Sequence, residues 1–160
     1  NIIKSIKMLN ANLDQSIFNP GLVIVGGGNL NNLEKKLLTG LNYSKLPTIS
    51  SHVYSSILSK VDCLLHPSLH EGFGITVLEA LVSKCDVIAY KSEAVYEIAK
   101  EAIYYFEENN IESIYNVIYE YVFNCKEKKI LRRKGELISK NFTWSIATKN
   151  LIDLYSKLIK

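Results

Sequence analysis

The stretch VDCLLHPSLHEGFGITVLEALVSKCDVIAY, Val61–Tyr90, decides the architecture. Val61–His66 is a mostly apolar run that Pro67 ends, as expected of a strand. Glu71-Gly72-Phe73-Gly74 reads as a tight bend, Ile75–Ser83 as a helix and Asp86–Tyr90 as a second strand. A strand, a helix and a strand in that order place two parallel strands in one sheet, with the helix packed across a face.

The same alternation continues on both sides. Upstream, Asn1–Asn10 reads as a helix with Ile2, Ile3, Ile6 and Leu9 on one face. Leu22–Val25 is a continuous apolar run, the pattern of a strand covered on both faces. Gly26-Gly27-Gly28 follows at once, and then a helical stretch over 30–41. A short strand is expected at Tyr43–Leu46, and a helix at Val53–Lys60 capped by Ser50 or Ser51. Downstream, Ser92–Lys100 reads as a helix and Ala102–Phe106 as a fourth main strand. The rest reads as helical: Ile111, Ile114, Tyr115, Ile118 and Tyr121 keep a period near 3.6, as do Trp144, Ala147, Leu151, Leu154, Tyr155 and Leu158. The expected fold is one α/β domain over residues 1–160, a Rossmann-like parallel sheet with helices on both faces.

Composition bounds the function. The chain has 160 residues, 48% of them hydrophobic and 22% charged, which excludes a disordered chain. Nineteen Lys and Arg against sixteen Asp and Glu leave a net charge of +3, and the basic residues are scattered, so nucleic acid is not an expected partner. No apolar run approaches the roughly 20 residues of a membrane-spanning helix. Cys63, Cys85 and Cys125 are odd in number and far apart, without a CxxC pair; they read as buried hydrophobes in a reducing, cytoplasmic compartment.

Two loops follow strands, where parallel sheets bind ligands. Gly26–Gly28 lets backbone approach a ligand, and the helix N-terminus behind it favours anions, but the triplet completes neither a dinucleotide fingerprint nor a P-loop. The second loop carries more. Plotted at 100° per residue, the helix after it is apolar on almost every side, which implies burial and predicts that Glu79 holds hydrogen-bond donors. Glu71 lies in the bend eight residues earlier. The adjacent glycines expose backbone N–H groups at the positive end of the helix dipole. Two carboxylates for hydroxyls and a backbone nest for phosphate match a nucleotide sugar.

At this string, Pro67-Ser68 followed by Glu71 and Glu79 with seven residues between them, the sequence resembles the C-terminal donor domain of retaining GT-B glycosyltransferases with the E-x7-E motif, glycosyltransferase family 4. That family includes sucrose synthases, glycogen synthases and many bacterial polysaccharide and glycolipid mannosyl- and glucosyltransferases. The likeness extends over Asn1-Ile2, Leu22–Gly28, Leu58–Asp62, Asp86–Glu97 and Phe142-Thr143-Trp144.

The resemblance implies roles. Glu71 would be the catalytic carboxylate near the anomeric centre. Gly72, Phe73 and Gly74 would offer backbone to the sugar, and the amides of Ile75 and Thr76 would meet the diphosphate. Glu79 would bind the ribose hydroxyls, Gly26 and Gly27 would line the diphosphate side, and Pro47–Ile49 would pass the base. The donor would be UDP- or GDP-linked, with no metal and no other cofactor. The partner would be an N-terminal acceptor domain outside this chain. The full-length protein could sit at the inner face of a membrane.

There are departures. The family's phosphate-binding Arg and Lys, and the strand carrying them, fall before Asn1. Arg132 and Arg133 match no family position. Lys84 and Asp86 replace a usual Gly and Pro, which is expected to alter that turn.

A metal site from His66, His70 and Glu71 fails because Pro67 breaks the helical spacing it needs. A Ser68–His70–Asp62 triad lacks the nucleophile elbow. A nucleotide-binding or assembly domain without transfer activity, and a related GT-B phosphorylase, remain as alternatives. The Tyr-rich stretch 114–123 reads as core packing ahead of a partner surface.

Overall fold

The computed structural model describes residues 1–159. Five parallel strands alternate with helices. The strands are β1 (Gly21–Val25), β2 (Asn42–Leu46), β3 (Cys63–His66), β4 (Asp86–Tyr90) and β5 (Tyr104–Phe106). The helices are α1 (Ile2–Asn12), α2 (Asn32–Leu38), α3 (Ser51–Leu58), α4 (Ile75–Val82), α5 (Glu93–Ala99), α6 (Ile111–Phe123), α7 (Cys125–Ser139) and α8 (Trp144–Leu158), with one 3-10 turn at Lys100–Ala102.

Strand β4 shows why the main sheet is a three-layer structure. Its side chains alternate between faces. Val87 and Ala89 join Leu58, Val77, Ala80, Leu81 and Val95 in one core under α4 and α5. Ile88 enters a second core with Ile6 and Leu9 of α1, Phe106, and Ile114 and Ile118 of α6. Helices therefore cover both faces, and every residue of β4 but Tyr90 is buried. Tyr121 and Tyr115 pack against the second core, while Tyr119 and Phe123 stay exposed.

The single expected sheet is two. β1 pairs with β2, and β3, β4 and β5 form a separate parallel set in that order. Leu22 of β1 shares the second core with Leu65 of β3, but no ladder joins the two strands. An alternating order of elements fixes strand direction without saying which strands pair, and the sequence reading missed this. For the same reason β1 is not covered on both faces: Val23 is exposed. The cysteines also depart from expectation, since only Cys85 is fully buried and Cys125 is exposed. α8 is amphipathic in sequence but buries no residue.

The turn after α4 keeps the geometry that a glycine would give. Lys84 adopts φ 59 there, a left-handed conformation costly for a side-chain-bearing residue. Its amide bonds the Leu81 carbonyl, the Cys85 amide bonds that of Ala80, and its ammonium lies 3.1 Å from Glu136 on α7. Asp86 is equally settled. Arg132 of α7 reaches it in a fork, Nε to Oδ1 at 3.0 Å and Nη2 to Oδ2 at 2.7 Å. Arg132, which matched no family position, is the partner that lets an acid stand at the start of a buried strand.

Candidate functional site

The carboxyl end of β3 builds the site. Pro67 ends the strand, and the Ser68 hydroxyl donates to the His70 carbonyl at 3.0 Å, closing the first half of the bend. His70 is exposed and His66 is buried. The bend ends at Gly74, which has φ 89 and is itself buried. A Cβ there would meet Val95 Cγ2 at 3.4 Å and Ile98 Cδ1 at 3.6 Å. Those distances are ordinary contact, so it is the positive φ that favours glycine at this position.

Gly74 is also the N-cap of α4, and it supplies no side chain to the helix end. That is unusual in this molecule. Asn31, Ser50, Ser92, Asn110, Asn124 and Thr143 each accept a backbone N–H at the start of their helices. The amides of Ile75 and Thr76 have no backbone partner among the described residues, so the positive end of α4 is bare.

Glu71 stands in the bend with its side chain partly exposed. Its Oε1 lies 3.2 Å from His66 Nε2. Burial lowers the His66 imidazole below its ordinary value, and the Glu71 carboxylate pulls against that shift. Glu79 lies one turn into α4, about 6 Å along the axis from its first residue. It shares a stripe with Ile75 and Val82, which are 64% and 61% exposed. The expectation of a buried Glu79 fed by donors is therefore corrected. The helix buries only Val77, Ala80 and Leu81, and the Glu79 carboxylate makes no hydrogen bond among the described residues. The apolar residues around it face open space. Its neighbour is Tyr54 of α3, whose phenol is raised by burial first and by the Glu79 charge second.

Pro47–Ile49 leads from β2 into α3, the helix that carries Tyr54. Phe73 is exposed and meets Phe142 edge to face, with ring centres 6.0 Å apart. A cleft of about 710 Å³ opens beside Gly72 and Phe73, walled by Glu97, Lys100, Ile138 and Phe142.

The glycine triplet is laid out differently from the expectation. Gly26, Gly27 and Gly28 have φ of 73, 72 and 68, three left-handed residues in a row that only glycine adopts readily. The Gly26 amide bonds the Leu46 carbonyl at 3.2 Å. The Gly26 carbonyl accepts from the Lys45 ammonium. The amides of Gly27 and Gly28 have no backbone partner among the described residues. The N-terminus of α2 is not open to an anion, because Asn31 and Glu34 fill it reciprocally as a capping box. Lys45 escaped the sequence reading: only the register Ile24–Lys45 brings it beside the bend.

The comparisons with known proteins bear on the family and the fold. The model of the family "Glycosyl transferases group 1" matches residues 1–137. A GDP-mannose-dependent alpha-(1-6)-phosphatidylinositol dimannoside mannosyltransferase of Mycobacterium tuberculosis is 28% identical over 152 residues, which is 93% of this chain and 39% of that protein. A glycosyltransferase from Rickettsia africae superposes with a TM-score of 0.77 at 20% identity, over 99% of this chain and 44% of its own. WaaG, a glycosyltransferase of lipopolysaccharide biosynthesis, gives 0.73 at 22% identity, over 94% of this chain and 42% of its own. These likenesses show the fold of GT-B glycosyltransferases. The chain spans about two-fifths of the length of these proteins.

Proposed function

We propose, for a chain that belongs to the glycosyl transferases group 1 family, that it is the donor-binding part of a retaining hexosyltransferase using a UDP- or GDP-linked sugar. The observation that carries this reading is the unsatisfied end of β3. Two carboxylates flank a glycine bend, the helix between them starts on bare amides, and the apolar stripe around the second carboxylate faces open space.

Each feature has a use in this chemistry. Glu79 can accept both hydroxyls of a ribose, while Ile75 and Val82 flank it with apolar surface. The amides of Ile75 and Thr76 can receive the diphosphate, since backbone donors at a helix N-terminus favour an anion and need no reorganisation as the leaving group gains charge. Glu71 can accept from a sugar hydroxyl and stabilise positive charge at the anomeric carbon. In the step itself the acceptor oxygen bonds to that carbon as the carbon–diphosphate bond breaks. The acceptor proton leaves with the diphosphate. The acceptor, the domain that holds it and any membrane association belong to chain outside these residues. The unpaired edges of β1 and β3 suit the strand that the family places before Asn1.

Titration calorimetry with UDP, GDP and a panel of their sugars tests the reading. One donor class is expected to bind, and Glu79→Ala is expected to weaken it about tenfold, or roughly 1.4 kcal/mol. Absence of binding by every nucleotide in the intact protein, or an unchanged affinity in the variant, would overturn it. Binding without turnover in the intact protein would make this a nucleotide-binding module.

A further inference from the structure

His66 is a polar side chain placed under the bend with little else to do. It closes β3, is 8% exposed, and pairs in register with Ala89, which offers it no polar group. Its Nε2 is shut off from solvent and has no aligned hydrogen-bond partner among the described residues. The one polar atom recorded beside it is Glu71 Oε1 at 3.2 Å, and Glu71 is the one charged group acting on the imidazole. The Glu71 carboxylate makes no hydrogen bond among the described residues, and the off-line contact with His66 is its one close polar approach. Glu71 is followed by Gly72, where an added Cβ would meet no atom within 4 Å beyond the adjoining residues. A carboxylate on such a bend would sample many directions unless something behind it selected one.

We propose that His66 is a positioning residue for Glu71: the neutral imidazole, with its proton on Nε2, turns the carboxylate toward the donor sugar before the sugar arrives. This inference rests on the donor reading given above. A buried imidazole suits the task for a physical reason. Desolvation penalises a second charge under the bend, so the donor is a neutral N–H. A lysine or arginine in its place would orient the carboxylate and also cancel the negative charge that a developing cation at the anomeric carbon needs. The imidazole orients without neutralising. Pro67, next in the chain, fixes the backbone from which the ring is aimed.

The test uses the intact protein with two substitutions. His66→Gln keeps an N–H at similar reach, and His66→Leu keeps bulk without a donor. His66→Leu is expected to lower kcat by about 10- to 100-fold, the range for a misplaced catalytic group. KM for the donor should change less than about threefold, and His66→Gln should recover most of the loss. A residue that merely fills the core would not divide its effect in this way. Equal losses in the two variants, or a loss lying wholly in KM, would overturn the proposal.

A second measurement is independent of turnover. NMR titration of the imidazoles should find the His66 midpoint lowered in Glu71→Gln, because the carboxylate charge that raises it is gone. An unmoved His66 would overturn the pairing. Should the intact protein transfer no sugar at all, the donor reading fails, and the titration still decides whether His66 and Glu71 act together.

Discussion

The two ends of the main sheet treat acidic side chains in opposite ways. At the amino end of β4, Asp86 is almost fully enclosed, its side chain 4% exposed. The Arg132 fork holds both its oxygens, and the Tyr121 hydroxyl lies 3.4 Å from Oδ2 while donating to the Asp62 carbonyl at 2.9 Å. At the carboxyl end of β3, Glu71 has one off-line neighbour, and Glu79 has no side-chain hydrogen bond among the described residues. A buried carboxylate is tolerable only when it is paired and hydrogen-bonded, and the Asp86 cluster satisfies that condition. The other two acids escape the penalty by staying partly in water. The contrast separates the roles: the satisfied acid belongs to the fold, and the two unsatisfied ones are those the proposed function assigns to the donor.

Substitutions at the two ends should therefore separate activity from stability. The largest effect is expected for Glu71→Ala in the intact protein. Transfer should fall by at least about a hundredfold, the scale for losing a charge that stabilises the transition state, while the thermal midpoint stays near that of the wild type. A variant with wild-type kcat and KM would erase the distinction. Arg132→Ala should do the reverse. It leaves Asp86 enclosed without its partner, at a cost of about 3 kcal/mol or a midpoint lowered by roughly 6–12 °C, with the nucleotide affinity of the surviving folded fraction unchanged. A midpoint within about 2 °C of wild type would show that the clamp contributes little.

The smallest effect reads the boundary between the two regimes. Burial holds His66 below its ordinary 6.5, with Glu71 opposing. Just below that pH the unfolded chain binds more protons than the folded one, so the stability present at neutral pH declines as pH falls through the folded value. Thermal melts between about pH 7.5 and 5 should decline more steeply in the wild type than in His66→Gln. Parallel curves would mean that the imidazole is not held neutral by burial.

Much of this was legible in the chain, for reasons that differ by residue. Asp86–Tyr90 is an unbroken apolar run behind one acid, and it matches the observed strand to the residue. Ser50 and Ser92 announce their helices because a hydroxyl at that place competes for the same amides. Glu71 and Glu79 stand out because an acid is conspicuous among apolar residues and glycine. What was not legible depends on distance. Nothing near Asp86 announces Arg132, 46 residues away. Lys45 meets Gly26 only through strand register. The openness of α4 was misread because Ile75 and Val82 look like core residues in sequence. An apolar side chain meant for the interior and one left facing outward are spelled alike.

α8 carries that last point furthest. Its apolar side, with Leu151, Leu154, Tyr155 and Leu158, lies bare, and Trp144 at its start is 89% exposed. Trp144 is the chain's one tryptophan. Its fluorescence therefore originates from an indole bathed in water and should peak at the red end of the tryptophan range. Anything that comes to rest on the start of this helix would move the emission to the blue, so the molecule carries its own optical gauge of that encounter.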